Sequence, residues 1–184
     1  CAMQYLQSIA TTMGFSALDG LMMGTRTGSL DPGALLYLME VEKLSLEEVG
    51  RTLYNQSGLL GVSGVSNDMR ELLASSDPHA REAIDLFVYA ISKQLGALAA
   101  VLGGLDALVF TAGIGEHAAE IREAVCRRAE WLGIRLDPAA NQAGGPCISV
   151  DGSVASAWVI PTDEERMIAI HTRHVLAESL TALA

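Results

Sequence analysis

The sequence predicts an α/β protein in which strands alternate with helices, and one stretch near the middle carries most of that prediction. Residues 106–112 form an apolar run of strand length with β-prone residues at its centre. Residues 116–131 follow with apolar side chains at helical spacing. Gly113 and Gly115 lie between the two, where the absence of Cβ atoms lets a ligand or another backbone approach. Strand–turn–helix units of this kind are typical of α/β folds.

The start of the helix after this turn is a candidate anion site. The first N–H groups of a helix have no intrahelical partner, and the positive end of the helix dipole lies there. Such a corner favours a phosphate group. The alternative is an ordinary strand-to-helix turn, which a lone G-x-G pattern favours, so other stretches have to decide between the two.

Composition and charge restrict the class of protein. The 184 residues, half of them hydrophobic, fit one domain or one large half of a bigger enzyme. The net charge of −10, without any basic run, argues against a nucleic-acid partner. The longest apolar run, residues 95–105, is too short to cross a bilayer, which predicts no membrane partner.

Three cysteines lie far apart, at Cys1, Cys126 and Cys147, which predicts free thiols in a reducing cytoplasm. The chain begins without methionine, and we therefore expect a fragment of a longer protein.

The first 32 residues combine a short regular segment with an irregular one. Residues 1–10 alternate as a strand or hairpin does. Residues 11–32 hold four glycines, which predicts no regular helix or strand throughout. Arg26 lies there among glycines and hydroxyl groups, where a guanidinium suits a multi-oxygen anion. The alternative, a salt bridge to Asp19 or Asp31, remains equally open.

Aspartate–proline pairs and capping boxes mark the helix starts, because they supply acceptors for the unpaired N–H groups of the first turn. They predict helices that begin after Asp31, Ser45, Asp77, Asp137 and Thr162. The helix after Ser45 is expected to end near Gly58, and the helix after Asp77 is expected to run to about Leu102. The helix after Thr162 is expected to run to about residue 180. A glycine-rich turn at residues 58–70 leads into a helix near residues 69–74. Two more strands are predicted at residues 148–150 and 157–161.

Asp68 and Arg70 have two possible roles. Asp68, with Ser66 and Asn67, is a candidate helix cap, and capping is the commoner role for these residue types. The functional alternative places Asp68 and Arg70 beside a ribose or base. Glycine turns, one arginine and a carboxylate pair recur in loops after the predicted strands, and together they indicate a nucleotide site at a sheet edge.

Two further groups of residues receive structural interpretations. His171 and His174 are three residues apart on the last helix and are typical of a solvated face, since no carboxylate or cysteine at ligand spacing completes a metal site. The methionines Met22, Met23 and Met39 are predicted to fill the core.

Four of these stretches together resemble the acetate kinase family. They are MGFSALDGLMMGTRTGSLDP (13–32), GVSGVSNDMR (61–70), FTAGIGE (110–116) and VIPTDEE (159–165), in the family's order and spacing. The resemblance covers nearly the whole chain. It implies a C-terminal nucleotide-binding domain over residues 1–184, without the N-terminal domain, in the sugar kinase, Hsp70 and actin (ribonuclease H-like) fold, with a mixed sheet flanked by helices.

The resemblance also implies an activity and its residues. Enzymes of this family transfer the γ-phosphoryl group of ATP to acetate, reversibly and with Mg²⁺ (or Mn²⁺), giving acetyl phosphate and ADP. Arg26 matches the arginine that steadies the transferring phosphoryl group, and Glu164 matches the carboxylate associated with the metal. The residues that match the nucleotide-binding segments are Asp68, Met69, Arg70, Gly113, Ile114, Gly115, Glu116 and His117.

Two departures and one absence qualify this expectation. Ala17 stands where the family commonly has a proline that helps to line the acetate methyl pocket, and His117 stands where asparagine is usual. The family's phosphate loop, a histidine, a second arginine and an aspartate near the acyl group belong to the part that precedes Cys1. We therefore expect negligible turnover by the isolated chain.

Alternative functions remain a propionate or butyrate kinase of the same family, which Ala17 slightly favours, or a noncatalytic nucleotide-binding or dimerisation module. The long apolar helix and the family's habit of pairing through this domain predict a cytoplasmic homodimer.

Overall fold

The computed structural model describes residues 1–182, with side-chain surroundings as far as residue 176, so the last two residues of the predicted domain 1–184 lie outside the described part. The strands are β1 (Ala2–Gln4), β2 (Gln7–Ala10), β3 (Ala107–Phe110) and β4 (Ser156–Val159). The helices are α1 (Pro32–Glu40), α2 (Leu46–Asn55), α3 (Gly58–Ser63), α4 (Met69–Ala74), α5 (Pro78–Leu102), α6 (Ala112–His117), α7 (Ala119–Arg128), α8 (Pro138–Ala143) and α9 (Glu164–Ala182), with a 3₁₀ turn at Glu130–Leu132.

The parallel pair of β3 and β4 organises the functional half of the molecule. The two strands pair along their whole lengths. Trp158, within β4, also forms an antiparallel bridge to Cys147, so β4 has one parallel and one antiparallel neighbour. Because β3 and β4 are parallel, the loops that follow Phe110 and Val159 leave the same edge of the sheet.

The strand predicted at residues 148–150 is wrong, because this segment forms bridges and no continuous ladder. The N–H of Ile148 donates to the carbonyl of Ala157 (2.8 Å), whereas the N–H of Val150 donates to the carbonyl of Arg135 (2.9 Å). The backbone groups of the segment are thus divided between β4 and the stretch before α8. The predicted hairpin at the start of the chain is confirmed as the antiparallel pair of β1 and β2.

Helix α5 forms the centre of the core and confirms the predicted long helix. It packs against α3, α4 and α7, and its buried face includes Ile84, Phe87 and Val88. Among residues 1–182 it is the one helix that is long and apolar enough to cross a membrane by length and composition, a test that core helices of soluble proteins also pass. Its packed face in the core makes this a weak indication of a membrane span.

The predicted helix starts at the aspartate–proline pairs and at the first capping box are confirmed. The side chains of Asp31, Asp77 and Asp137 accept hydrogen bonds from the N–H groups of Gly33 (2.8 Å), His79 (2.8 Å) and Ala139 (2.9 Å). In the capping box, Glu48 N–H donates to Ser45 Oγ (3.3 Å), and Ser45 N–H donates to Glu48 Oε2 (2.8 Å).

Two predictions in the first 70 residues need correction. Residues 58–63 form helix α3 and no turn, because Gly58 and Gly64, both with φ of +62°, take the left-handed conformations that flank this helix. Met22 is buried as predicted, but Met39 is 40% exposed. The reason is that α1 has no buried residue and packs only lightly, against α2.

Candidate functional site

Two of the predicted nucleotide-binding segments meet in one open cleft of about 550 Å³. The cleft lies between the start of α4 and helix α6, which follows β3. Its lining residues are Asn67, Asp68, Met69, Arg70, Gly113, Ile114, His117 and Ala118. Met69 and Ala118 are buried and give the cleft an apolar floor, whereas Arg70 and His117 are exposed at its rim. An apolar floor with a few polar groups is typical of small-molecule sites.

Asp68 serves both as the cap of α4 and as the partner of Arg70. Its Oδ1 accepts from the N–H of Arg70 (2.9 Å), which confirms the capping prediction. The same carboxylate accepts from the guanidinium, with 2.6 Å between Nη2 and Oδ2 and 3.1 Å between Nε and Oδ1. The hydrogen bonds from Arg70 lower the pKa of Asp68, and the hydrogen bond to Asp68 raises the pKa of Arg70.

Two serines stabilise the loop that leads to Asp68. The hydroxyl of Ser63 accepts from the N–H groups of Val65 (3.1 Å) and Ser66 (3.3 Å). The hydroxyl of Ser66 in turn accepts from the N–H of Asp68 (3.0 Å). Ser66 thus caps the turn before α4, as local hydroxyl-to-backbone bonds often do.

The predicted glycine turn after β3 is a short helix. Helix α6 begins at Ala112, whose φ is +58°, and it includes both Gly113 and Gly115. The helix predicted to start at Glu116 and run to residue 131 is therefore wrong in its start and its continuity, since Ala118 (φ −106°, ψ 88°) separates α6 from α7. Gly115 faces away from the cleft lining, and a Cβ atom there would lie 3.3 Å from the carbonyl carbon of Phe110.

A buried arginine that was not predicted as a site residue binds backbone carbonyls of α6. The guanidinium of Arg122, only 2% exposed, donates from Nη1 to the carbonyls of Gly115 (3.0 Å) and Glu116 (2.8 Å). It also donates from Nε to Asn141 Oδ1 (2.8 Å) and from Nη2 to the Asn141 carbonyl (2.7 Å). Burial lowers the pKa of Arg122.

The sequence did contain a signal for Arg122. It lies beside Ile121 and three residues before Val125, so it falls on the core-facing side of the predicted helix. A charged residue at such a position implies a ring of acceptors, because an unpaired buried charge is costly.

Glu116 points to the neighbouring loop and does not line the cleft. Its Oε1 accepts from the N–H (3.0 Å) and the hydroxyl (3.2 Å) of Thr162. The hydrogen bond from the backbone of Thr162 is the main reason why the pKa of Glu116 is lowered.

The predicted capping box at residues 162–165 is wrong in its cap. Asp163 is the acceptor instead, since its Oδ1 receives the N–H of Arg166 (3.0 Å), while the hydroxyl of Thr162 donates to Glu116. Glu164 is then the first residue of α9 and is exposed, as its predicted role toward a metal requires.

The loop of Arg26 touches the cleft through Gly24. A Cβ atom on Gly24 would lie 2.9 Å from the carbonyl oxygen of Asn67, a residue of the cleft lining. The loop is fastened at the junction of α2 and α3, where Leu59 N–H donates to the Met23 carbonyl (2.9 Å). Backbone of the loop that carries Arg26 therefore lies against the segment that carries Asp68.

The salt-bridge alternative for Arg26 is wrong. Among the side chains of residues 1–176 the ion pairs do not include Arg26, whose Nη1 donates only weakly, to the carbonyl of Ala17 (3.4 Å). Asp19 instead accepts from the hydroxyl of Ser29 (2.6 Å), and Asp31 caps α1. The guanidinium remains available for an anionic ligand.

The described residues do not form a complete set of metal ligands. In residues 1–176, no three His, Cys, Asp or Glu side chains come close enough together to hold a metal ion. A single exposed carboxylate such as Glu164 nevertheless fits Mg²⁺, which commonly binds one or two carboxylates together with substrate phosphates and water. His171 and His174 lie on exposed positions of α9, as predicted.

Comparisons with known proteins show which family this chain is similar to. The sequence model of the acetokinase family matches residues 1–170. The acetate kinase of Rhodopseudomonas palustris is 64% identical over 173 residues, which cover 93% of this chain and 44% of that protein. This chain therefore spans less than half the length of such relatives.

Two solved structures resemble this one closely. The acetate kinase of Porphyromonas gingivalis matches with a TM-score of 0.82 and 43% identity, over 90% of this chain and 43% of that chain. A propionate kinase from Francisella tularensis matches with a TM-score of 0.83 and 41% identity, over 89% of this chain and 43% of that chain. Both matches confirm the predicted fold class, with helices flanking a mixed sheet as in the sugar kinase and actin superfamily.

Proposed function

The chain belongs to the acetokinase family, and on that premise we propose that it carries the nucleotide-binding half of an acetate kinase. The complete enzyme transfers the γ-phosphoryl group of ATP to acetate, reversibly, and yields acetyl phosphate and ADP. The observation that carries this proposal is the shared cleft, in which the segments of Asp68 and Gly113 face each other although they are far apart in sequence.

The cleft residues are suited to the nucleoside end of ATP or ADP. Met69, Ile114 and Ala118 offer apolar surface to a purine, and Arg70 offers a planar cation at the rim. Asp68 orients that cation through two hydrogen bonds. His117, in the same lining, supplies an imidazole where the family usually has an asparagine amide, so this contact to the nucleotide differs in kind.

Arg26 is proposed to act at the phosphoryl end. In phosphoryl transfer, negative charge spreads over the three equatorial oxygens of the moving group, and a rigid fork of donors stabilises it. Arg26 has no carboxylate partner among the side chains that the structure describes, and its loop contacts Asn67 through Gly24. Glu164 is proposed to contribute to holding Mg²⁺, which when bound offsets the charge of the nucleotide phosphates.

Ala17 is the residue most relevant to the choice of acyl group. Its carbonyl accepts from Arg26 Nη1, so the position where the family usually has proline lies beside the proposed phosphoryl-binding arginine. Alanine occupies less space than proline and leaves more room for a longer acyl chain. A propionate or butyrate kinase is therefore the second candidate, and the similarity to a propionate kinase structure is compatible with it.

We propose further that this kinase is a cytoplasmic homodimer that pairs through the present domain. The outer face of α5 leaves Leu86 (42%), Tyr89 (56%) and Val101 (57%) exposed, and exposed apolar side chains on one long helix are candidates for a protein–protein interface. Sedimentation equilibrium at micromolar concentration tests this proposal, and a stable monomer would contradict it.

A chimera tests the proposed activity. The matching segment of the Rhodopseudomonas palustris acetate kinase is replaced by this chain, and kcat/KM is measured for acetate, propionate and butyrate. We expect ATP-dependent acyl phosphate formation by the chimera and negligible turnover by the isolated chain. A folded chimera that is inactive with all three acids would contradict the proposed kinase activity. Robust turnover by the isolated chain would contradict the proposal that this chain holds only half of the active site.

A further inference from the structure

Glu116 ties the loop after β3 to the loop after β4. One carboxylate oxygen, Oε1, accepts both the N–H (3.0 Å) and the hydroxyl (3.2 Å) of Thr162, which is 46 residues away in sequence. The neighbours of Glu116, Ile114 and His117, line the cleft, whereas Glu116 itself does not. The carboxylate therefore serves the contact between the two loops.

Helix α9 begins two residues after this contact, which is called the tether below. The hydroxyl of Thr162 donates to Glu116, and Asp163 accepts the N–H of Arg166 (3.0 Å). Helix α9 starts at Glu164. Glu164 therefore lies directly after the cap at Asp163 and two residues after the tether at Thr162.

Hydrogen bonds also hold the backbone of Glu116, at the other end of the tether. The backbone carbonyl of Glu116 accepts from Arg122 Nη1 (2.8 Å), and the same guanidinium is bound to Asn141. A second link runs parallel to the tether, since the hydroxyl of Thr111 donates to the carbonyl of Ile160 (2.7 Å). Hydrogen bonds therefore join the two loops at two places, Glu116 to Thr162 and Thr111 to Ile160.

We propose that Glu116 is a positioning residue that couples the nucleotide cleft to the carboxylate of Glu164, so that occupation of the cleft and binding of a divalent cation strengthen each other. The proposal rests on the proposed function, in which the cleft takes ADP or ATP and Glu164 meets the cation carried by the phosphates. Glu116 contributes through its two hydrogen bonds to Thr162 and contacts neither ligand. Coupling between two sites is reciprocal, so it can be measured from either ligand.

Calorimetry on the complete 184-residue chain measures this coupling as the ratio of the Kd values for ADP without and with Mg²⁺. We expect Glu116→Ala to reduce the ratio by about fivefold or more, the lower end of typical coupling, while the Kd for metal-free ADP stays within about twofold. Glu116→Gln should keep most of the ratio, because its amide oxygen can accept both hydrogen bonds from Thr162. Glu120→Ala, at an exposed glutamate in the next helix, is the matched control.

Two results would overturn the proposal. The first is an unchanged ratio in Glu116→Ala. The second is a ratio lowered as much by Glu116→Gln as by Glu116→Ala, which would mean that the negative charge acts on the cation directly.

Failure of the proposed function gives a different result, namely no ADP binding by the unsubstituted chain. The tether is then tested by amide hydrogen exchange at Thr162, which needs no ligand. Glu116→Ala should speed exchange of this N–H by about tenfold or more relative to Glu120→Ala, because the amide loses its acceptor. Equal exchange rates in the two variants would overturn the proposal.

Discussion

Asp68 and Arg70 form a two-point ion pair at the mouth of the cleft. The distance from Arg70 Nη2 to Asp68 Oδ2 is 2.6 Å, and Nε is 3.1 Å from Oδ1. The arginine side chain nevertheless remains 84% exposed. A ligand in the cleft can therefore reach a guanidinium whose orientation is already set by Asp68.

Acidification should remove the contribution of this pair to stability. The pKa of Asp68 is lower in the folded chain than its ordinary value of about 3.8, which applies in the unfolded chain. The contribution is therefore complete above about pH 4 and disappears as the pH falls through the lower, folded-state pKa. Asp68→Asn keeps a good helix cap and loses the ion pair, so its deficit in unfolding midpoint should be present at pH 6 and shrink toward pH 2.5. A deficit of equal size at both pH values would contradict this interpretation of the pair.

Arg122→Met should destabilise the fold strongly. The substitution leaves the carbonyls of Gly115 and Glu116 and the amide of Asn141 without their donor. Since hydrogen bonds to charged groups contribute about 1.5–3 kcal/mol each, we expect the free energy of unfolding to fall by at least about 3 kcal/mol in urea titrations. Arg128→Met, at an exposed position of the same helix α7, should change it by no more than about 0.5 kcal/mol. Similar decreases in the free energy of unfolding in both variants would contradict the stabilising role of the buried Arg122 hydrogen bonds.

Two glycine substitutions should have opposite effects. Gly58 has φ of +62°, and a Cβ atom there would collide with the carbonyl oxygens of Met23 and Arg26. Gly58→Ala should therefore cost more than about 1 kcal/mol in the free energy of unfolding and displace the loop of Arg26. Gly50, inside α2, has no atom within 4 Å of such a Cβ, so Gly50→Ala should add roughly 0.5–1 kcal/mol. A neutral Gly58→Ala variant would contradict the proposed packing of this loop.

Arg26 should be indispensable for phosphoryl transfer in the chimeric kinase. Arg26→Ala removes a cation that no described carboxylate of residues 1–176 neutralises, and we expect kcat to fall by about 10³-fold or more. Arg26→Lys should recover little, because an ammonium group lacks the planar fork of donors. Arg51→Ala, at an exposed arginine of α2, is the matched control and should retain activity. Near-normal kcat in Arg26→Ala would remove this residue from the proposed mechanism.

Local signals predicted much of the fold correctly. An acceptor before a proline or at the first residue of a capping box satisfies N–H groups of its own helix, so helix starts after Asp31, Ser45 and Asp77 could be predicted without tertiary information. The same holds for Asp68, which caps α4.

Predictions failed where a local group meets a residue that is distant in sequence. Thr162 has the sequence of a helix cap, yet its hydroxyl donates to Glu116, and Asp163 accepts the helix N–H instead. Similarly, the continuous helix predicted after β3 is interrupted at Ala118, and Arg122 holds the carbonyls of Gly115 and Glu116 just before the break. The partners in these contacts could not be deduced from periodicity, because Thr162 meets a residue 46 positions away and Arg122 bridges α6 to Asn141 of α8.

In the candidate site, too, some of the predicted residues come together and others do not. The segments around Asp68 and Gly113 were assigned to one site by resemblance, and the structure brings them together in the cleft. Glu116 and Gly115, assigned to the same site, do not line it, because one side chain turns to Thr162 and the other residue packs on Phe110.

Calorimetric titration of the 184-residue chain with Mg-ADP tests the central claim most directly, namely that this chain holds the nucleotide half of a kinase site. We expect saturable one-to-one binding that Arg70→Ala weakens by about tenfold, equivalent to about 1.4 kcal/mol. Arg81→Ala breaks a comparable exposed pair, in which Nη2 lies 3.0 Å from Asp85, and should leave the Kd unchanged. Absence of binding, or equal weakening by both substitutions, would contradict the claim that the cleft between α4 and α6 is a preformed nucleotide site.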